Sequence, residues 1–452
     1  MTKRNLTLLI IIIVAILAIS FGFSYFFKSS TPAPTTGTQG INFVSQFFPF
    51  LKSTAPKTAE PTAPANISGF EKAPIIEASK ANMVKVSTMP IAGFGVFMQE
   101  RFKEASITVT AAPDTATTTT TTKKGKTAPV KPTPPPTEFI PAVRYVDRAT
   151  GNIYQTLADK IDERNFTTTV IPIVHEAFFG AKGESVVMRY LKTDDKTIET
   201  FIGSLPKQIL GGDTTTDTEI KGSFLPENIS DLSVSPDASK IFYLFKVGDG
   251  TVGITSGSLG DKKSQIFNSP FTEWLSQWPN DKMITLTTKP SANVPGYMYA
   301  INPDKKDFNK ILGGINGLTT LTSPNGKLIL YNNNNLSLYI YNVDTKSSSL
   351  LGLKTLPEKC VWGKNSDIVY CSVPKFVDQG QYPDDWYQGQ VSFSDELWKI
   401  EATNNNATMI SDPAAVVGGE DMDGTKLALD DGENYLFFVN KKDSYLWKLN
   451  LK

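Results

Sequence analysis

The chain has 452 residues, of which 45 are basic, 45 acidic and 40% hydrophobic. That supplies a core for two or three ordinary domains or one large repeat domain, while the cancelling charges leave no field to gather nucleic acid. Two cysteines and one histidine exclude a disulfide scaffold, a four-cysteine zinc site and any metal site needing several imidazoles.

The N-terminal run Leu6 to Phe27 holds 22 residues without a charge. As a helix it is about 33 Å long, enough to cross a hydrocarbon core of roughly 30 Å. Lys3 and Arg4 precede it, so residues 1–5 are expected to form a cytoplasmic tail, with the remainder outside a cell membrane crossed once. The "AIS" at 18–20 has the spacing of a signal-peptidase site, the rival reading. The apolar run continues through Phe21, Phe23, Tyr25, Phe26 and Phe27, which favours an uncleaved anchor. A lipoprotein is excluded, because no cysteine lies near the N-terminus.

Residues 28–66 are rich in Thr, Pro, Ala and Ser and suit a solvated stalk. Within them "INFVSQFFPFLK" carries four phenylalanines, but Pro49 interrupts any helix, and local packing is the better reading than a membrane-surface helix. A folded domain is expected over 67–452. It contains a disordered insertion at about 105–138, where six threonines (Thr117 to Thr122) and a proline run cannot bury enough apolar surface to fold. Strand-like sequence flanks it on both sides, so it reads as a loop inside the domain.

From Phe178 onward one phrase returns: a turn of Pro, Asp, Asn, Gly or Ser, a small or charged residue, then alternating β-formers. Examples are "SVSPDASKIFYLF" (234–246), "SQWPNDKMITLTT" (276–288) and "LTSPNGKLILYNN" (321–333). The residues closing each turn are Ser185, Lys240, Lys282, Lys327, Asp367 and Lys426, at intervals of 55, 42, 45, 40 and 59. Spacing near 40–45 with hairpin turns is the signature of propeller blades. A second strand type, as in "SLYIYNVDTKSSSLLG" and the terminal "YLWKLNLK", completes each unit. Helical periodicity and βαβ alternation are scarce, so the fold class is all-β. Six phrases plus "VKVST…AGFGVF" favour seven blades, with six or eight as alternatives, and the final strand is expected to complete a blade shared with the N-terminal strands.

"SPDASKIFYL" and "SPNGKLILY", each followed by a "Y-x-Y-N-V-D"-like strand, resemble the TolB-type branch of WD40-like β-propellers. The combination "PIAGFGVF…VRYVDRATGNIYQ…HEAFFGAKGESVVMRYL" is similar to uncharacterised surface propellers of candidate-phyla bacteria. The resemblance spans about residues 83–452 and implies a fold; propellers host binding, scaffolding and catalysis alike. The stretch "DMDGTK", taken as the last turn, lacks the Ser-Pro.

Few residues point to chemistry. His175 sits in the apolar "PIVHEAFF" and is expected to be packed or hydrogen-bonded rather than catalytic. No nucleophile elbow, P-loop or dinucleotide fingerprint occurs, so no catalytic residue and no cofactor is assigned. Asp421, Asp423, Asp430 and Asp431 form a weak calcium candidate, weighed against service in blade turns. Cys360 and Cys371 flank one hairpin, and one residue of register decides between a disulfide and two buried thiols. Trp274 and Trp278 are expected in the core. "VPKFVDQGQYPDDWYQGQVSFSDELW" lengthens one blade by about 20 residues and brings Tyr382, Asp384, Asp385, Trp386 and Tyr387 together. It is either a binding loop or a cover that buries its own aromatics. The expected protein is a membrane-anchored, extracytoplasmic, non-enzymatic module binding another protein or an envelope glycan. The alternative is a carboxylate-dependent glycan hydrolase or lyase, with two acids converging in a pocket.

Overall fold

The computed structural model describes residues 83–103, 136–167, 169–207, 219–416 and 420–452. The expected tail, anchor and stalk, and nearly all of the Thr/Pro insertion, lie outside the described residues. Among the described residues no helix is long and apolar enough to cross a membrane.

The strands form seven antiparallel four-stranded sheets. Six are built from consecutive strands, beginning at Ile91, Val174, Ile229, Trp274, Thr320 and Cys360. The seventh takes three C-terminal strands, Gly424–Leu429, Tyr435–Asn440 and Leu446–Asn450, and completes itself with Met83–Lys85, whose Met83 stands opposite Leu449. The chain is a seven-bladed β-propeller.

Why the sheets stack into a ring is legible in their second strands. "KIFYLFKV" (Lys240–Val247) carries an unbroken apolar run because side chains alternate between two buried faces. Ile241 and Tyr243 pack towards blade two, while Phe242 and Leu244 pack towards blade four. "YLFFVN" (Tyr435–Asn440) does the same: Leu436 and Phe438 face blade six, and Phe437 and Val439 face blade one. Every blade is thus sandwiched between two others, and the last core closes on the first. The fourth strand "KGSF" is exposed throughout, and "SSSLLGLK" is exposed over its first four residues before Leu351 and Leu353 enter the core.

The recurrent turn has a definite construction. In "SPDASK" the Ser235 hydroxyl accepts from the Lys240 N–H at 2.9 Å and donates to Asp237 Oδ1 at 2.7 Å. Asp237 also accepts from the Ser239 N–H at 3.1 Å, and Ala238 between them is left-handed (φ 56°). "SPNGK" repeats this with Ser323, Asn325 and Gly326, the glycine taking the left-handed position (φ 73°) at no steric cost.

Two expectations are corrected. Lys426 closes no turn; it lies inside the first strand of blade seven. The turn there is "DDGEN", where Asp430 Oδ1 accepts from the Asn434 and Tyr435 N–H groups at 2.7 Å each. Periodicity misled because "DMDG" imitates the turn composition one strand early. His175 is not packed: a register shift between Val174 and Glu176 turns it out to solvent. Trp274 and Trp278 are buried in the core between blades three and four, as expected. Strands Ile91–Phe102 and Thr137–Asp147 bracket the Thr/Pro insertion, and the Lys103 N–H to Pro136 carbonyl bond (2.9 Å) closes its base.

Candidate functional site

In each blade the connections after the second and fourth strands emerge at one end of the ring, and those after the first and third at the other. The long segment 375–394 joins the second and third strands of blade six, Ile368–Pro374 and Asp395–Glu401, and so belongs to the first end. It folds into a cap around a single helical turn, Asp384–Tyr387.

The cap is fastened to blades four to seven. Asp384 Oδ2 accepts from the Ala292 N–H at 2.6 Å and from the Ser291 hydroxyl at 3.2 Å, both in blade four. Tyr382, Trp386 and Phe393 pack with Leu336 of blade five and with Leu356. Lys441 of blade seven donates to the Trp386 carbonyl at 2.6 Å, its ammonium 4.4 Å from the indole centre. Lys375 pairs with Asp412 at 2.7 Å at the cap's base.

Beneath the cap lies a buried ion triad. Lys359 ends the short turn Pro357–Lys359 before the first strand of blade six, Asp423 immediately precedes the first strand of blade seven, and Asp395 opens the third strand of blade six. The Lys359 ammonium lies 2.7 Å from Asp395 Oδ2 and directly contacts Asp423 Oδ1, with both lysine and Asp423 side chains fully buried. It also lies 5.4 and 5.2 Å from the Trp386 and Phe393 ring centres. Asp423 Oδ2 accepts from Trp386 Nε1 and the Phe393 N–H, each at 3.0 Å, and from the Ser392 hydroxyl at 3.1 Å. Asp395 Oδ2 also accepts from the Gly424 N–H at 2.7 Å, whereas its Oδ1 is buried without a partner.

Burial pushes the Asp395 carboxyl up to about 6, with the Lys359 charge opposing and the Asp423 charge adding. Burial also works against ionisation of Asp423, yet the Lys359 charge and the donors on Oδ2 outweigh it and hold that carboxyl below its usual value. Above the triad, burial raises Glu358 to about 7 against the pull of the Tyr387 hydroxyl, Lys359 and Lys441.

The five residues singled out in this loop are brought together but do different work. Tyr382 and Trp386 are buried in the cap's own core, 2% and 3% exposed. Asp384 holds blade four, Asp385 accepts from the Gln381 N–H at 2.7 Å, and Tyr387, 37% exposed, presents surface. The four calcium candidates are not brought together: Asp421 and Asp423 precede the strand Gly424–Leu429, while Asp430 and Asp431 follow it, roughly 20 Å away. Asp421 accepts from the Ser394 hydroxyl at 2.7 Å. Among the described residues no group of three or more His, Cys, Asp or Glu is arranged to hold a metal. Cys360 and Cys371 stand directly opposite and are joined as a disulfide.

Lys359 and Asp395 were not found from the sequence. Lys359 and Asp423 occupy the same place, just before the first strand, in consecutive blades. Opposite charges at one repeat position would have pointed to them, but the misplaced final turn hid the correspondence.

Around the cap the same end exposes large apolar side chains: Ile173, Phe271, Val294 and Phe376 are each more than half exposed. The opposite end has an open cleft of about 440 Å³ between blades six and seven, lined largely by charged residues including Lys364, Lys399, Asp431 and Glu433.

No family model matches the chain, and no curated protein matches it. Solved structures do. An oligogalacturonate lyase in complex with manganese matches with a TM-score of 0.47 at 10% identity, covering 69% of this chain and 85% of that one. The β-propeller domain of the Trilobed protease from Pyrococcus furiosus matches at 0.45 and 12% identity, covering 69% and 90%. TolB from Acinetobacter baumannii, the propeller type that the repeat turn resembles, matches at 0.36 and 9% identity, covering 68% and 61%. At such identities the likeness is one of fold, and no residue role is carried across.

Proposed function

We propose that the protein is a membrane-anchored, extracytoplasmic binding module that engages a protein or glycan of the cell envelope through the capped end of its propeller. The observation that carries this reading is the cap itself. An insertion serving only as a connection has no need of anchors on four blades, and this one is held rigid among exposed Val294, Phe376 and Tyr387. Rigid loops bearing apolar and aromatic groups beside polar ones suit recognition. The charge-free run 6–27, preceded by Lys3 and Arg4, supports the anchor and its orientation.

The enzymatic alternative asks for two acids open to a substrate. Asp395 and Asp423 do converge, and one has a raised pKa, but both are sealed against Lys359 under the cap. Their geometry favours a built-in structural role over work on a glycan.

The test is recovery of partners from intact cells by the tagged full chain and by the pair Val294→Asp and Phe376→Asp, which alters exposed positions and leaves Trp386 in place. Recovery of a specific partner by wild type, with a tenfold or greater loss in the variant, supports the reading. Equal recovery by both removes the capped end from recognition.

A further inference from the structure

The buried triad contains more chemistry than fastening a cap requires. Burying three ionised groups is costly, and well-packed apolar side chains would hold the same elements at least as well. What the triad offers is a primary amine against a carboxyl carbon, in a dry pocket, with a second carboxyl touching the amine. One oxygen of Asp423 meets Lys359 Nζ, while the other takes three donors, Trp386 Nε1–H, the Phe393 N–H and the Ser392 hydroxyl, at 3.0–3.1 Å. Asp395 reaches Nζ at 2.7 Å through Oδ2, and its buried Oδ1 is free of any hydrogen bond.

We propose that Lys359 and Asp423 join in an intramolecular isopeptide bond, Nζ to Cγ, which ties blade six covalently to blade seven beneath the cap. The ammonium gives one proton to the Asp395 carboxylate and becomes a nucleophilic amine. Asp395 passes that proton to Asp423 Oδ1 as Nζ attacks Cγ, so the amine meets a carboxylic acid rather than a carboxylate, and the charge that builds on Oδ2 falls on the three donors already directed at it. The Cγ–Oδ1 bond breaks as Oδ1 takes a second proton, from the nitrogen, and leaves as water. Three hydrogens on nitrogen become one on the amide and two on water, and Asp395 ends as it began. No oxidant or co-reactant is needed. Trp386 and Phe393 cover the site and keep water from reversing the step. Asp423 rather than Asp395 is the acyl partner, because only Asp423 has an array of donors on the oxygen turned away from the amine.

Digestion with trypsin separates the outcomes. After reduction of the disulfide, the full chain yields Lys359 within residues 355–364, Asp395 within 376–399 and Asp423 within 400–426. We expect 355–364, uncut at Lys359, joined to 400–426 at a combined mass lower by one water. Lys359→Arg, which keeps the charge but cannot condense, should give 355–359, 360–364 and 400–426 free. In Asp395→Asn, which keeps the shape but removes the proton carrier, the linked fraction should form roughly a hundredfold more slowly. Free 360–364 and 400–426 from wild type would overturn the proposal, and so would a link to 376–399. Linkage in Asp395→Asn at the wild-type rate would overturn the role given to Asp395.

Discussion

Asp231, in the first strand of blade three, accepts from the Ser276 N–H and hydroxyl at 2.6 Å each, and burial still raises its pKa to about 6. The Ser276 donors and Arg189 pull it down, while Glu176 pushes it up. The native state therefore holds this proton more tightly than the unfolded chain, whose value is near 3.8. The resulting stability is fully present below about pH 4 and is lost as pH rises through 6. Denaturation curves at a series of pH values should show wild type losing stability over that range relative to Asp231→Asn. A constant difference between the two would refute the assignment. At this scale the sequence was an uneven guide. Trp274 and Trp278 could be placed because large apolar residues inside a strand have few other places to go. Lys359 could not, because a lysine is ordinarily a surface residue and only the opposing Asp395 and Asp423 make its burial tolerable.

The elements divide between those fixed by local chemistry and those fixed by distant partners. The Ser-Pro-Asp turn is local, since the side-chain hydrogen bonds of Ser235 and Asp237 fall within six residues, and it was readable directly. The hairpin around Cys360 and Cys371 needed the register, which the structure supplies. Cross-linking so short a loop, with the cysteines 11 residues apart, stabilises by roughly 2–3 kcal/mol, so the double Cys→Ser variant should lose about that amount in denaturant unfolding. The cap depends on distant partners. Its composition announced an insertion with aromatics, but whether those aromatics face outward depends on Leu336, Leu356, Asp423 and Lys441 in other blades. Trp386→Ala removes a buried indole and leaves Asp423 short of a donor. We expect a loss of about 3–5 kcal/mol, with proteolytic cleavage appearing first within 375–394. Cleavage elsewhere first would mean that the cap is held by its other contacts.

For the whole molecule, the recurring turns and the unbroken apolar second strands specified a ring, because a sheet apolar on both faces must be covered twice. Pairing of Met83–Lys85 with Leu446–Asn450 completes the seventh blade with the N-terminal strand, as the closing "LWKLNLK" suggested. A ring has two unlike ends, and here one carries the cap with exposed Ile173, Phe271, Val294 and Phe376, while the other carries the charged cleft and exposed Leu259. That asymmetry underlies the proposal that recognition occurs at the capped end. The most direct measurement places a photoreactive residue at Phe376, or at Leu259 on the opposite end, and irradiates intact cells making the full chain. The account predicts a discrete cross-linked species from position 376 and none from 259. Cross-linking from 259 alone, or from neither position, would contradict it.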